Sequence, residues 1–166
     1  MEKSNLVPLI RQNLQILFVD LNPAKGSSDN RHYFFVNQAF WNQLYDAGLI
    51  TEKVDKLVAD ETVFGSNEIN YCGWEYGITD LITEVAESES RKIKPSVDDC
   101  RRLKKQIQKF QPKVAILIHG KVTKTFLPYI GGSALPANYG PIGKVIDNCP
   151  TMFYSIAFPH GNNIFL

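Results

Sequence analysis

Apolar residues fall along this chain in two rhythms. Three stretches are almost continuously apolar: LQILFVD (14–20), VAILIHG (114–120) and TMFYSIAF (151–158). Each is rich in β-branched and aromatic residues and ends in polar residues, so each predicts a buried strand. GITDLI (77–82) is a fourth, weaker example. Between them the apolar positions recur three and four residues apart. In 37–47 Phe40, Trp41, Leu44 and Ala47 share one helical face, and Gly48 stops the helix. In 96–110 Val97, Cys100, Leu103, Ile107 and Phe110 form an apolar stripe, with Arg101, Arg102, Lys104, Lys105 and Lys109 around the rest. Pro95 and Ser96 fit a helix start, and Pro112 enforces its end. A further helix is expected over 122–127. Strands alternating with helices predict an α/β fold with three layers, α/β/α. Its centre is a mostly parallel four-stranded sheet, with 14–20 beside 114–120. All of 1–166 is expected to form a single domain.

Ligands of such sheets sit at the carboxyl ends of the strands. Three loops meet that rim: 21–41 (LNPAKGSSDNRHYFFVNQAFW), 119–121 (HGK) and 158–163 (FPHGNN). Composition narrows the options for what they hold. With 44% apolar residues the chain is globular, and a net charge of +1 provides no overall basic field. Nucleic-acid binding would need a local patch. Cys72, Cys100 and Cys149 are odd in number and widely spaced, which speaks against a disulfide framework or a zinc site. His32, His119 and His160 share no metal-ligand spacing. No apolar run approaches a membrane span. A soluble, cytoplasmic protein without membrane contact, metal or cofactor is expected.

The candidate chemistry lies in the rim loops. HGKVT lacks the first glycine of a phosphate loop, because Ala115 stands there. Gly120 could still hold one phosphate at a helix start, or simply turn the chain. GGSAL (131–135) does not have the spacing of a nucleophile elbow. Asp20 and Asp80 both lie at or near strand ends, and paired carboxylates can do acid–base work. Asp20 could orient a water or pair with Lys25 or Arg31; Asp80 reads more simply as a turn cap. Of Tyr33, Phe34 and Phe35, at least one belongs to the core, and one face could form a stacking platform for a flat ligand.

Together these stretches resemble the uracil-DNA glycosylase superfamily, and most closely its mismatch-specific uracil/thymine branch. VDLNPAKGSSDNRHYFFVNQAFWNQLYDAGL (19–49) is similar to that branch's Gly-Ile-Asn-Pro-Gly loop, aromatic linker, Asn-x-Phe-Trp helix and AGL turn. YGITDLITEVAESES resembles its Gly-x-Thr-Asn/Lys-Leu-Val segment. LKKQIQKFQPKVAILIHGKV resembles its basic helix, Gln-Pro turn, third strand and Gly-Lys. FYSIAFPHGNN falls at its second motif. The likeness covers most of 14–163 in order. There are departures. Asp20-Leu21 and Ala24 replace the motif's glycine positions, Gln38 replaces an Asn, Phe158 stands where a polar residue or Met precedes the proline, and His160 replaces a Ser. The chain ends at Leu166, about where the family continues into a last helix.

The resemblance implies a glycosylase that hydrolyses the bond between sugar and a deaminated base, uracil or a related one, rotated out of DNA. Asn22 would position the attacking water and Tyr33 would stack on the base. Backbone around Leu21, Pro23 and Ala24 would read pyrimidine oxygens, with Asp20 and Phe158 beside the base. Lys25, Ser27, Ser28, Gly120 and Lys121 would grip phosphates, Arg31 and Lys124 adding charge. The loop Pro159, His160, Gly161, Asn162, Asn163 would enter the minor groove. His160 would stabilise charge on the departing base if the loop bends back, or only touch DNA if it does not. The expected partner is DNA, a duplex with a damaged or mismatched base or a single strand, met by a monomer. Two alternatives remain: a weak or inactive relative binding damaged DNA or a free nucleobase, and a flavin- or nucleotide-binding α/β protein.

Overall fold

The computed structural model describes residues 1–133 and 139–159. Its strands are β1 (Glu2–Lys3), β2 (Ile16–Asp20), β3 (Tyr76–Asp80), β4 (Val85–Ala86), β5 (Val114–Leu117), β6 (Gly140–Lys144) and β7 (Met152–Ser155). Its α-helices are α1 (Lys25–Asn30), α2 (Gln38–Asp46), α3 (Ala59–Val63), α4 (Val97–Phe110) and α5 (Gly120–Tyr129).

The central sheet has the order β3-β2-β5-β7-β6. The four expected strands are mutually parallel, and β2 lies between β3 and β5. The fifth, β6, was not expected. It pairs antiparallel with β7 at the edge, through a bulge between Pro141 and Gly143. A strand reading GPIGK has no apolar alternation, and a proline without an N–H is tolerated only where a ladder is incomplete.

β2 and β3 are buried along their whole length, as strands covered on both faces are. Leu17, Val19, Ala115, Leu117 and Phe153 pack on one side with Leu103 and Ile107 of α4 and Val122 and Phe126 of α5. Ile16, Phe18, Tyr76 and Ile78 pack on the other with Phe40, Trp41 and Leu44 of α2 and Ala59 and Val63 of α3. The period of two along each strand thus makes three layers. The helix starts follow local chemistry. Asn37 caps α2, its side chain accepting from Phe40 N at 3.1 Å. Ser96 and Asp99 form a reciprocal capping box on α4. Gly48, at φ +75°, takes the chain out of α2 in a conformation that costs glycine little. All three cysteines are free thiols. Among the described residues no helix is long and apolar enough to cross a membrane.

Candidate active site

The loop after β2 has two parts. Leu21–Ala24 is a tight turn. Lys25–Asn30, expected as irregular loop, is a short helix ending at Arg31 in the left-handed region. KGSSDN is a poor helix former by propensity, and the turn's tertiary contacts hold it. The Pro23 carbonyl accepts from Glu87 N at 3.0 Å, and Lys25 N donates to Ser88 Oγ at 3.1 Å.

A cavity of about 930 Å³ opens over the carboxyl ends of β2, β3 and β5. Asp20, Leu21, Asn22, Pro23 and Ala24 line it from the first loop, Ser27 and Tyr33 from the segment beyond. Gly120 and Lys121 line it from the start of α5, and Phe158 from the chain after β7. Pro159 is buried, and its carbonyl accepts from Asn37 Nδ2 at 2.6 Å, which ties the second-motif segment to the cap of α2. His160, Gly161, Asn162 and Asn163 lie outside the described residues.

Asn22 is held firmly. Its Nδ2 donates to the carbonyls of Glu87 at 2.9 Å, Pro23 at 3.0 Å and, at the limit, Val85 at 3.5 Å. Three acceptors identify the nitrogen of the amide. Oδ1, with no partner among the described residues, is left as the acceptor of a residue that lines the cavity.

Several expected phosphate contacts are otherwise engaged. Ser28 is 1% exposed, and its Oγ accepts from Asn5 N at 2.9 Å. Ser27 is buried, with Oγ accepting from Phe35 N at 3.3 Å. Both hydroxyls brace the loop by accepting from backbone N–H groups, and each keeps its own proton to donate. Lys121 Nζ donates to the carbonyls of Ser90 at 2.6 Å and Ile93 at 2.8 Å, so at most one of its three protons remains for a phosphate. The Leu21 N–H, expected to read a base, donates to Asp20 Oδ1 at 2.7 Å. Arg31 lines a second, smaller cavity with His32 and Asp60. Lys25 and Lys124 are exposed, and Lys124 also lines the main cavity. Gln38 fastens the 54–56 loop, donating to Val54 O and accepting from Lys56 N.

The aromatic run divides as expected of a mixed core and site. Phe34, at φ +52°, stacks on Phe40 with centroids 3.8 Å apart and belongs to the core. Phe35 is half-buried beside His32. Tyr33 is 4% exposed and lines the cavity, yet its hydroxyl is buried without a partner among the described residues.

Two cavity residues were undervalued in the sequence. His119 caps α5, its Nδ1 accepting from Lys121 N at 3.0 Å. Burial, then the Lys121 charge, hold its pKa below the usual value. The ring is therefore neutral with its proton on Nε2, and it lies 5.7 Å from the Phe158 ring. Its place beside Gly120 and Lys121 was the available signal. Asp80, read as a turn cap, is instead 1% exposed, in register with Asp20 on β2. Burial raises the Asp20 carboxyl, to about 7. Burial and then the Asp20 charge raise Asp80 well above the carboxylate range, while Arg102 pulls it back. Among the described residues no group of three or more His, Cys, Asp or Glu is arranged to hold a metal ion.

No curated protein matches the chain. A family model does: the uracil DNA glycosylase superfamily, over residues 7–164. That span includes the braced Asn-Pro turn, the cavity and all five strands of the central sheet, so this chain belongs to the uracil DNA glycosylase superfamily, a group of DNA glycosylases acting on uracil-like bases.

Proposed function

We propose that this protein is a monofunctional base-excision glycosylase that hydrolyses the N-glycosidic bond of uracil, or a related deaminated base, rotated out of DNA into the 930 Å³ cavity. The observation that carries the reading is the anchoring of Asn22. With its Nδ2 spent on backbone carbonyls, Oδ1 is a fixed acceptor for one water. An amide is a weak base. It suits a reaction in which the base departs first and the water adds to an oxocarbenium-like sugar. The commitment of Lys121 Nζ to two carbonyls supports water, and not that amine, as the nucleophile.

The Tyr33 ring would form one wall against the flat face of the base. Phe158 places an apolar ring where many members have a polar side chain, so discrimination at that edge falls to other groups. The Asn-Pro turn supports a place near the mismatch-specific branch, with a mismatched duplex as substrate. The protein would act as a single-domain monomer in the cytoplasm.

The test is release of base from duplexes carrying G·U, A·U, G·T or hypoxanthine, and from single-stranded uracil DNA, read as abasic sites cleaved by alkali on a gel. Cleavage after alkali and none before it is the expected result. No abasic site from any of these substrates would overturn the reading.

A further inference from the structure

Asp20 and Asp80 are register partners at the carboxyl ends of the adjacent parallel strands β2 and β3. Register partners face the same side of a sheet, and neighbouring strands lie about 4.8 Å apart. The two carboxyls therefore stand side by side, both buried and both lining the cavity. Two carboxylates so close in a buried wall do not readily both ionise, and one proton stays with the pair.

Hydrogen bonding assigns that proton. Asp20 Oδ1 accepts from Leu21 N at 2.7 Å, which favours its ionised form. Asp80 Oδ2 is buried with no partner among the described residues, where a negative charge would have no donor to offset it. The proton belongs on Asp80. A second, independent observation marks the same wall: the Tyr33 hydroxyl is also buried and unpartnered there. Native proteins pair nearly all buried polar atoms. Two orphans on the wall of one cavity indicate the place of a ligand's polar edge.

The charged groups facing the pair come from several elements. Arg102 of α4 donates through one terminal nitrogen to the backbone carbonyls of Asp80 and Leu81, at 3.0 and 2.6 Å, and through the other to Gln106 Oε1, so it acts on the Asp80 carboxyl by charge. Tyr33 lies against the pair from the segment after α1, and Asp60 of α3 acts on Tyr33. His119, Lys121, Lys124 and Glu87 line the cavity further round.

We propose that Asp80 is the general acid of base excision and Asp20 its ionised partner. This rests on the base-excision reading above. As the C1′–N bond breaks, its electron pair leaves with the base, and the base takes the Asp80 Oδ2 proton. The Asp20 carboxylate stabilises the positive charge developing on the sugar. The water held at Asn22 Oδ1 bonds to C1′ and yields one proton to the pair, which restores Asp80. The base departs with a hydrogen and the sugar keeps a hydroxyl. Only the singly protonated pair does both jobs, so excision should rise as Asp20 ionises near pH 7 and fall once the second proton is lost in alkali.

The test is single-turnover excision of uracil by wild type from about pH 5 to pH 9, with 5-fluorouracil, a better leaving group, compared at pH 7. Asp80→Asn should slow uracil release about 100-fold. It should slow 5-fluorouracil release far less, because a good leaving group needs little protonation. Equal losses for the two bases, or a variant with the wild-type rate, overturn the inference. If Asp80→Asn does not fold, the wild-type profile decides: a flat rate across the range overturns it. Wild type that releases neither base overturns the base-excision reading itself and this inference with it. Release with equal losses overturns this inference alone.

Discussion

Asn22→Asp is the most informative single change, because intuition and the structure disagree about it. A carboxylate is a stronger base than an amide, so intuition has the variant activate water better. The structure argues otherwise. The Asn22 Nδ2 donates at 2.9 and 3.0 Å to the carbonyls of Glu87 and Pro23, and more weakly at 3.5 Å to Val85. In Asn22→Asp an acceptor replaces that donor and meets three other acceptors. Two hydrogen bonds of ordinary length are lost, each worth about 1 kcal/mol net. Repulsion adds to the loss unless the new carboxyl keeps a proton. A deficit of about 2–3 kcal/mol follows, and at about 2–4 °C per kcal/mol for a chain of this size the melting temperature should fall by roughly 4–12 °C. Asn22→Ala loses the same donor without the repulsion and should melt above Asn22→Asp. Excision should drop in both, by about 100- to 1,000-fold in Asn22→Ala if the amide positions water as strongly as comparable polar groups do. Thermal unfolding of the three proteins, with single-turnover excision on the same preparations, makes the comparison. An Asn22→Asp protein that melts with wild type would refute the anchoring argument, whatever its activity.

Three further outcomes are expected. The carboxyls of Asp20 and Asp80 hold protons in the folded chain that the unfolded chain releases near pH 4. Their contribution to stability is therefore full below about pH 4; the Asp20 part is lost as pH rises through about 7, and the Asp80 part as pH rises further, when that carboxyl in turn gives up its proton. Melting curves at pH 5 and pH 8 should show a larger alkaline loss for wild type than for Asp80→Asn, and parallel losses would argue against a coupled pair. Tyr33→Phe removes a buried hydroxyl without a partner among the described residues, so the melting temperature should hold or rise by an amount worth up to about 1 kcal/mol; a clear fall would mean the hydroxyl is bonded. Of the four cations expected at the rim, Lys121 is engaged and Arg31 lines the other cavity, which leaves Lys25 and Lys124 exposed. Affinity for undamaged duplex should fall with salt at a log–log slope of about −2, from about 0.9 per phosphate contacted; a slope near −4 would mean that other basic residues meet the DNA.

Much of the scaffold is legible in the sequence. The apolar runs at 14–20, 114–120 and 151–158 became β2, β5 and β7, because β-branched and aromatic residues crowd them and no helical period competes; β2 alone of the three is buried throughout, while β7 exposes Met152 and Tyr154. The end of α2 and both ends of α4 followed from Gly48, Ser96 and Pro112, residues whose effects act within one turn of chain. The order of motifs was enough to place the chain in its superfamily, which the family match over 7–164 bears out. Features set by contacts between distant segments were not legible. β6 exists through pairing with β7, not through its own composition. The burial of Ser27 and Ser28 depends on Phe35 and Asn5. The commitment of Lys121 depends on Ser90 and Ile93 carbonyls about thirty residues away. The pairing of Asp20 with Asp80 is the clearest case. The sequence puts both carboxylates near strand ends, where a pair could do acid–base work, but Asp80 there reads more simply as a turn cap. Only the parallel register of β2 and β3, set by crossover and core packing, puts them side by side in a buried wall, where each one's charge affects whether the other can ionise.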